Sequence, residues 1–130
     1  MADVVSVFGE VAALSPQLIW TGVTGRAVHG ERITLSVVEL DPHCAIPEHE
    51  HEHEQVGMLV AGSLYFRVGE ETRELGPGAT WCIRGNTPHE VRTGPDGAVV
   101  VEVFSPPRTD WHSLPSDEPT QPGWPSADGS

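Results

Sequence analysis

Residues 47–62 read PEHEHEHEQVGMLVAG and place four potential metal-binding side chains within seven positions. His49, His51, His53 and Gln55 follow one another at every second residue. Successive side chains of a strand point to opposite faces, so a strand here would turn all four to one side and the intervening glutamates to the other. Neutral imidazole is the commonest metal ligand. The stretch therefore predicts part of a metal site that a ligand from elsewhere completes.

A second stretch, GPGATWCIRGNTPH at residues 76–89, offers that ligand as His89, directly after the turn-forming sequence GNTP. In this order the two stretches resemble the paired motifs of the cupin superfamily. The matching positions are His49, His51, Gln55 and Gly62 in the first motif, and Gly78, Gly85 and His89 in the second. The resemblance implies a jelly roll and one divalent metal ion held by His49, His51, Gln55 and His89.

Alternatives for the ligand set stay open at this point. His53 is the reserve ligand, replacing His51 or adding a fourth imidazole. A one-residue slip in register would point Glu54 at the metal instead of Gln55. The tract could also be a solvated low-complexity segment that binds metal without a defined site. Zn, Ni, Fe and Mn are all candidates for the ion.

The rest of the chain predicts an all-β fold. Short segments rich in β-branched and apolar residues recur between Gly/Pro turns, with no convincing amphipathic helix. We expect strands at residues 4–8, 18–20, 33–40, 56–60, 64–68, 72–75, 79–83, 89–93 and 98–104, with turns at 61–63 and 94–97. This pattern is typical of a sandwich or barrel, and the double-stranded β-helix of the cupin barrel (a jelly roll) is the member that agrees with the motifs. Residues 1–112 form one expected domain, and the Pro-, Ser- and acid-rich residues 113–130 an expected disordered tail.

Composition limits the partners. The 130 residues carry 7 Lys and Arg against 19 Asp and Glu, a net charge of −12, which disfavours binding to nucleic acid. No apolar run approaches the ~20 residues of a membrane span, and the first residues do not resemble a signal peptide. We therefore expect a cytoplasmic protein with no nucleic-acid or membrane partner, whose two cysteines are free thiols.

A third stretch, VVVEVFSPPRTD at residues 99–110, contains candidate catalytic side chains. If its even-numbered residues face inward, Glu102 is a carboxylate in an apolar cavity, where burial would raise its pKa towards values useful for acid–base catalysis. If the odd-numbered valines face inward, Glu102 is solvated. Arg108 either binds a substrate carboxylate or forms a surface ion pair.

With this third stretch the sequence resembles the small cupins around the pectin-degradation enzyme that linearises unsaturated uronates. The resemblance implies catalytic roles for Glu102, Phe104 and Arg108, although Phe104 is equally suited to the core, and Glu102 stands where that enzyme has Asp. The expected activity is non-redox ring opening or isomerisation of a small anionic substrate, with a homodimer as the assembly. The alternatives are a zinc-dependent polyketide cyclase, a metal-dependent dioxygenase and a non-catalytic ligand-sensing cupin.

Overall fold

The computed structural model describes residues 6–128, and β-strands make up most of its regular structure. The strands are β1 Gln17–Trp20, β2 Val23–His29, β3 Thr34–Leu40, β4 Ala45–His49, β5 Glu54–Val68, β6 Glu71–Leu75, β7 Thr80–Ile83 and β8 His89–Ser105. Two short 3-10 helices lie at Val11–Ala13 and Thr109–Ser113. In this described part of the chain, no helix has the length and apolar character needed to cross a bilayer.

The strands form two antiparallel layers that share β5 and β8. In the first layer the order is β1-β2-β3-β8-β5-β7, using the pairing of Gln55 with Phe104 and its neighbours. In the second the order is β4-β8-β5-β6, using the pairing of Phe66 with Val91 and its neighbours. Two long strands that pass from one sheet to the other produce the predicted jelly roll.

Glycines allow both long strands to turn this corner. Gly62 has a φ of +85°, and a Cβ placed on it would lie 2.0 Å from the Gly97 carbonyl oxygen. Gly97 has a φ of +67°. Because side chains are excluded here, the two backbones approach closely and irregular pairing replaces the ladder. The turns predicted at residues 61–63 and 94–97 are therefore wrong: each is a bend within one continuous strand.

The core lies between the two layers. It is an apolar cluster that includes Val23, Leu59, Leu64, Ile83 and Val100, each at most 3% exposed. In the second half of β8, residues 98–104, the even-numbered residues are the buried ones, with Val100 at 3%, Glu102 at 8% and Phe104 at 3% exposure. The inward orientation of Glu102, which the sequence left open, is thereby resolved.

Other strand predictions differ at the edges of the fold. The predicted strand at residues 4–8 falls partly outside the described residues, and residues 6–8 form no strand. β4 was not predicted, because its sequence AIPEH contains a proline and two charged or polar residues that favour a turn. It forms because the ladder to β8 supplies its hydrogen bonds.

Residues 114–128 contact the first layer without forming a helix or a named strand of their own. The Leu18 N–H donates to the Pro115 carbonyl, and the Gly123 N–H donates to Glu39 Oε1, both within 2.9 Å. Buried Arg26 donates to Thr120 Oγ1 at 3.0 Å. The domain boundary at residue 112 and the disorder of the tail stay predictions.

Candidate active site

Three histidines meet where β4 ends and β8 begins. His49 is the last residue of β4, His89 is the first residue of β8, and the two are register partners. His51 follows two residues after His49. One ring nitrogen from each of the three lies within 4.8 Å of the others, a spacing that could hold a metal ion. Two separate parts of the sequence thus supply one cluster, which we call the imidazole cluster (His49, His51 and His89).

Backbone carbonyls fix the tautomer of each ring in the cluster. The Nδ1 atoms of His49, His51 and His89 lie 2.9, 3.1 and 2.8 Å from the carbonyl oxygens of Pro47, His53 and Thr87. A carbonyl oxygen only accepts hydrogen bonds, so each Nδ1 carries the proton. In a neutral ring, Nε2 then has a free lone pair, which is the arrangement of a metal-ligating histidine.

Burial keeps the rings of His51 and His89 neutral. Desolvation, together with the nearby charges of Arg108 and the other histidines, lowers the pKa of His51 to about 4. Desolvation also lowers the pKa of His89, against the opposing hydrogen bond to Thr87. Both rings are consequently in the ligating, unprotonated form at neutral pH.

Gln55 adds an oxygen to the imidazole cluster. Its Oε1 lies 3.1 Å from His51 Nε2, while its amide N–H donates to Glu102 Oε2. Because His51 Nε2 has no proton in this tautomer, two lone pairs face each other across 3.1 Å. Such a contact is unfavourable unless a cation lies between or beside the two atoms.

A divalent cation fits this donor set. His89 Nε2 is buried and has no hydrogen-bond partner among the described residues. Leaving a buried polar atom unsatisfied costs about 1–3 kcal/mol, which a bound ion would offset. Three neutral imidazoles and a carboxamide oxygen suit Zn, Ni, Fe or Mn rather than Ca or Mg.

His53 and Glu54 lie outside this donor set. Residues 50–53 form no strand, so the predicted alternation of side chains is interrupted and His53 turns away. His53 is buried, and its Nε2 lies 3.9 Å from Asp110 Oδ1. β5 then places Gln55 inside at 6% exposure and leaves Glu54 exposed.

Glu102 is a buried carboxyl group beside the imidazole cluster. Desolvation raises its pKa, although hydrogen bonds from Trp81 and Gln55 and the charge of Arg108 oppose that rise. The Trp81 indole N–H donates to Oε2 at 2.9 Å, and the Gln55 amide donates to the same oxygen. Oε1 accepts no hydrogen bond from the described residues and is therefore the oxygen that can exchange a proton with a ligand.

Arg108 brings a positive charge to the same space. Its guanidinium carbon lies 4.7 Å from the centroid of Phe104 and 4.6 Å from that of Trp111, two rings that pack edge to face with centroids 5.3 Å apart. Asp110 accepts hydrogen bonds from Nε at 3.1 Å and from Nη2 at 3.0 Å. Both readings of Arg108 from sequence thus have a counterpart: it forms an ion pair, and it also lines the central cavity.

That cavity brings the candidate residues together in about 680 Å³ of empty space, including its opening to solvent. Its polar wall consists of His49, His51, His89, Gln55, Glu102 and Arg108. Its remaining lining is mainly apolar and includes Val23, Val38, Leu40, Leu64, Val91 and Val100. Phe104 belongs to the apolar lining of the cavity and also contacts the guanidinium of Arg108.

Sequence reasoning missed two residues that act on the candidate site. Trp81 lies in β7, between Gly78 and Gly85 of the second motif, and nothing in its local sequence distinguishes it from a core tryptophan. Asp110 is two residues from Arg108 and follows the predicted strands, so no periodic pattern pairs these two side chains. Trp111 was noticed only as an apolar exception near the tail. The fold, rather than a motif, gives these residues their positions.

Comparison with known proteins agrees with this geometry. Residues 36–106 match the Cupin domain family, which is more than half of the chain and includes all four residues of the donor set. The chain belongs to the cupin family.

Two solved structures and one curated protein are similar to this chain. The solved structure of KdgF from Halomonas sp. is 27% identical, with a TM-score of 0.68 over 73% of this cupin and 88% of KdgF. An RmlC-like cupin from Shewanella frigidimarina has a TM-score of 0.75 over 82% of this chain and 96% of its own, but its 20% identity supports the fold alone. The H2HPP isomerase of Bacillus subtilis is 32% identical over 76 residues, 57% of this chain. The chain spans only 31% of the length of that isomerase.

Proposed function

We propose that this cupin is a metal-dependent, non-redox enzyme of the isomerase or lyase type, which moves a proton within a small oxygen-rich anionic substrate. One observation carries the proposal: in the cavity that the imidazole cluster lines, the buried carboxyl group of Glu102 has one oxygen that accepts no hydrogen bond from residues 6–128. KdgF, a pectin-degradation cupin, and an isomerase among the relatives support this reaction class.

A divalent ion bound by His49, His51, His89 and Gln55 would supply Lewis-acid polarisation of a substrate oxygen. Its three imidazoles and one carboxamide are neutral, so no ligand charge reduces that effect. The chain's own residues account for the remaining steps. Glu102 exchanges the proton, Arg108 binds the anionic group, and the apolar lining excludes water from the reacting atoms.

Ring opening and isomerisation of an unsaturated uronate is the first candidate reaction. Glu102 Oε1 accepts the proton of the hemiacetal hydroxyl, and an aldehyde forms as the ring C–O bond breaks. The released oxygen remains as an enolate, and Glu102 returns the same proton to carbon to give a ketone. Every atom is retained, so the product is an isomer. The raised pKa of Glu102 suits a group that acts first as base and then as acid.

The lining of the cavity supports a second candidate, cyclisation of a polyketide-like compound by the zinc-loaded protein. Most of the lining side chains are apolar, and Trp20 and Trp111 add aromatic surface. A polyhydroxylated sugar would leave these groups without partners, whereas a chain of ketones on an aromatic or alicyclic framework would contact them. The same Lewis-acid site and the same Glu102 would serve that reaction.

A turnover assay with one substitution tests the function. Metal-loaded wild-type protein, Glu102→Gln and the surface control Glu90→Gln are incubated with an unsaturated uronate and with an aromatic polyketide mimic, with and without oxygen. We expect the wild-type protein to convert one of the two substrates without oxygen. The rate of that conversion should fall about 10²–10⁴-fold in Glu102→Gln and stay unchanged in Glu90→Gln.

Other outcomes contradict the proposal. Conversion that needs oxygen would identify a dioxygenase. Saturable binding without conversion would identify a ligand-sensing cupin. Equal rates in Glu102→Gln and wild-type protein would remove Glu102 from the reaction.

The expected partners and location are part of the same proposal. A small-molecule substrate, a homodimeric assembly and a cytoplasmic location suit an enzyme of this kind, without a nucleic-acid or membrane partner. Light scattering of the metal-loaded protein measures the assembly directly.

A further inference from the structure

Two aromatic rings and a carboxylate hold Arg108 at the wall of the cavity. Phe104 and Trp111, an edge-to-face pair with centroids 5.3 Å apart, both contact its guanidinium and are themselves only 3% and 4% exposed. Asp110 accepts two hydrogen bonds in the plane of the guanidinium. The Arg108 side chain is 11% exposed, so this charge is fixed rather than mobile in solvent.

The two bonds to Asp110 occupy one particular edge of the guanidinium. They use Nε and Nη2, the side edge of the fork, and leave Nη1 and the second N–H of Nη2. Nη1 donates to no described residue. Those remaining N–H groups form the end edge, which matches a carboxylate with two parallel hydrogen bonds. Asp110 itself does not line the cavity, whereas Arg108 does.

The backbone fixes this arrangement. The Arg108 N–H donates at 2.8 Å to Oγ1 of Thr34, which is fully buried. The Trp111 N–H donates to the Arg108 carbonyl at 3.0 Å, at the start of the 3-10 helix. Asp110 therefore stands behind Arg108 at a fixed distance, and its carboxylate can set the orientation of the guanidinium without competing for the cavity side.

We propose that Asp110 is a positioning residue that turns the end edge of Arg108 into the cavity and so makes the site selective for ligands with a carboxylate. The inference rests on the proposed function, in which Arg108 binds the anionic group of the substrate. It assigns the two edges of the guanidinium to different partners: Asp110 binds the side edge, and the carboxylate of the ligand binds the end edge.

Binding, measured without turnover, tests the assignment. Calorimetry on metal-loaded Glu102→Gln protein compares an unsaturated uronate with its uncharged methyl ester. The same pair is then measured after adding Asp110→Ala, Asp110→Asn or the control Glu90→Gln. Glu90 is a matched control because it also accepts a hydrogen bond from an arginine, Arg67 at 3.0 Å, away from the cavity.

We expect Asp110→Ala to weaken binding of the uronate about fivefold and that of the methyl ester less than twofold, as loss of one partly exposed ion pair would. Asp110→Asn, which keeps one acceptor, should lie between wild type and Asp110→Ala. Glu90→Gln should change neither affinity. In the enzyme with Glu102 intact, the effect should fall on KM rather than on kcat.

The contrary results are distinct. Equal weakening for both ligands would mean that Asp110 has only a structural role, and tighter uronate binding would mean that it competes for Arg108; either overturns the assignment. Unchanged selectivity in Asp110→Ala overturns it as well. A parent protein that does not prefer the uronate over its ester overturns both this inference and the anion-binding role of Arg108.

Discussion

Replacing Gly57 by alanine tests the contact between Trp81 and Glu102. Gly57 lies in β5, and a Cβ there would lie 2.5 Å from Trp81 Nε1, 2.7 Å from Trp81 Cε2 and 2.9 Å from Glu102 Cγ. Ordinary contacts begin near 3.4 Å, so the indole must retreat by about 0.9 Å. Trp81 packs against Phe66 with ring centroids 5.2 Å apart, which limits that retreat. The 2.9 Å hydrogen bond to Glu102 should therefore lengthen beyond its useful range.

Overpacking of this kind costs about 1–3 kcal/mol, which in a chain of this size lowers Tm by roughly 4–12 °C. Activity should fall about tenfold or more, because Glu102 loses one of the two donors that hold its orientation. Metal content should stay unchanged, since the three atoms nearest to the added Cβ belong to Trp81 and Glu102 and not to the donor set. Gly76→Ala is the control, as a Cβ there meets nothing within 4 Å. Differential scanning calorimetry, metal analysis and a rate assay of both variants suffice. A Gly57→Ala protein with wild-type Tm and rate would refute the reasoning.

Three further predictions concern the ligand set. His89→Ala should abolish stoichiometric metal binding in elemental analysis, whereas His53→Ala should retain it; the reverse result would exchange their roles. The metal-free protein should lose stability as pH falls from 6.5 towards 4. In this range the His51 imidazole is protonated in the unfolded chain but stays neutral in the folded protein, where its pKa is about 4, so protonation favours unfolding. Melting curves should show that His51→Ala reduces this dependence, and a stability that rises on acidification would contradict it. Gln55→Glu should keep the metal but place a carboxylate against Glu102, raising its pKa further, so the acidic limb of the pH–rate profile moves to higher pH; an unmoved limb would show that the two side chains are not coupled.

The convergence of His49, His51 and His89 was predictable from sequence. The His-x-His spacing, the glutamine four residues later and the distant His89 identified the residues that the fold brings together. The even-numbered face of β8 was not decided by the pattern, because Val99, Val101 and Val103 are as apolar as the alternative core residues. Burial was settled by the neighbouring strands, and so depended on tertiary packing.

The local course of the chain was less predictable. Alternation over the whole His tract assumed one uninterrupted strand, but the chain bends at residues 52–53 and separates His53 from His51. Gly62 and Gly97 predicted turns between strands, but both lie at bends within a strand. Glycine allows the positive φ that either feature requires, so its presence does not distinguish them. The quoted motifs contain Gln55, Trp81 and Asp110, but they do not record that these residues are the partners of Glu102 and Arg108. Their positions follow from the crossing of two long strands, which the linear sequence does not record.

A glutamine at position 55 has a consequence that a glutamate would not. A carboxamide can turn its oxygen towards the imidazole cluster and donate its N–H to Glu102 at the same time. An ionised glutamate has only acceptors, so it would face both the Nε2 lone pair of His51 and the carboxylate of Glu102 without a proton to share. Gln55 thus joins the candidate metal ligands to the candidate proton carrier by one hydrogen bond and leaves the ligand set uncharged. An ion bound there would keep its full positive charge beside a carboxyl group whose pKa burial has raised. This pairing would favour polarisation with proton transfer over chemistry that requires an anionic ligand set.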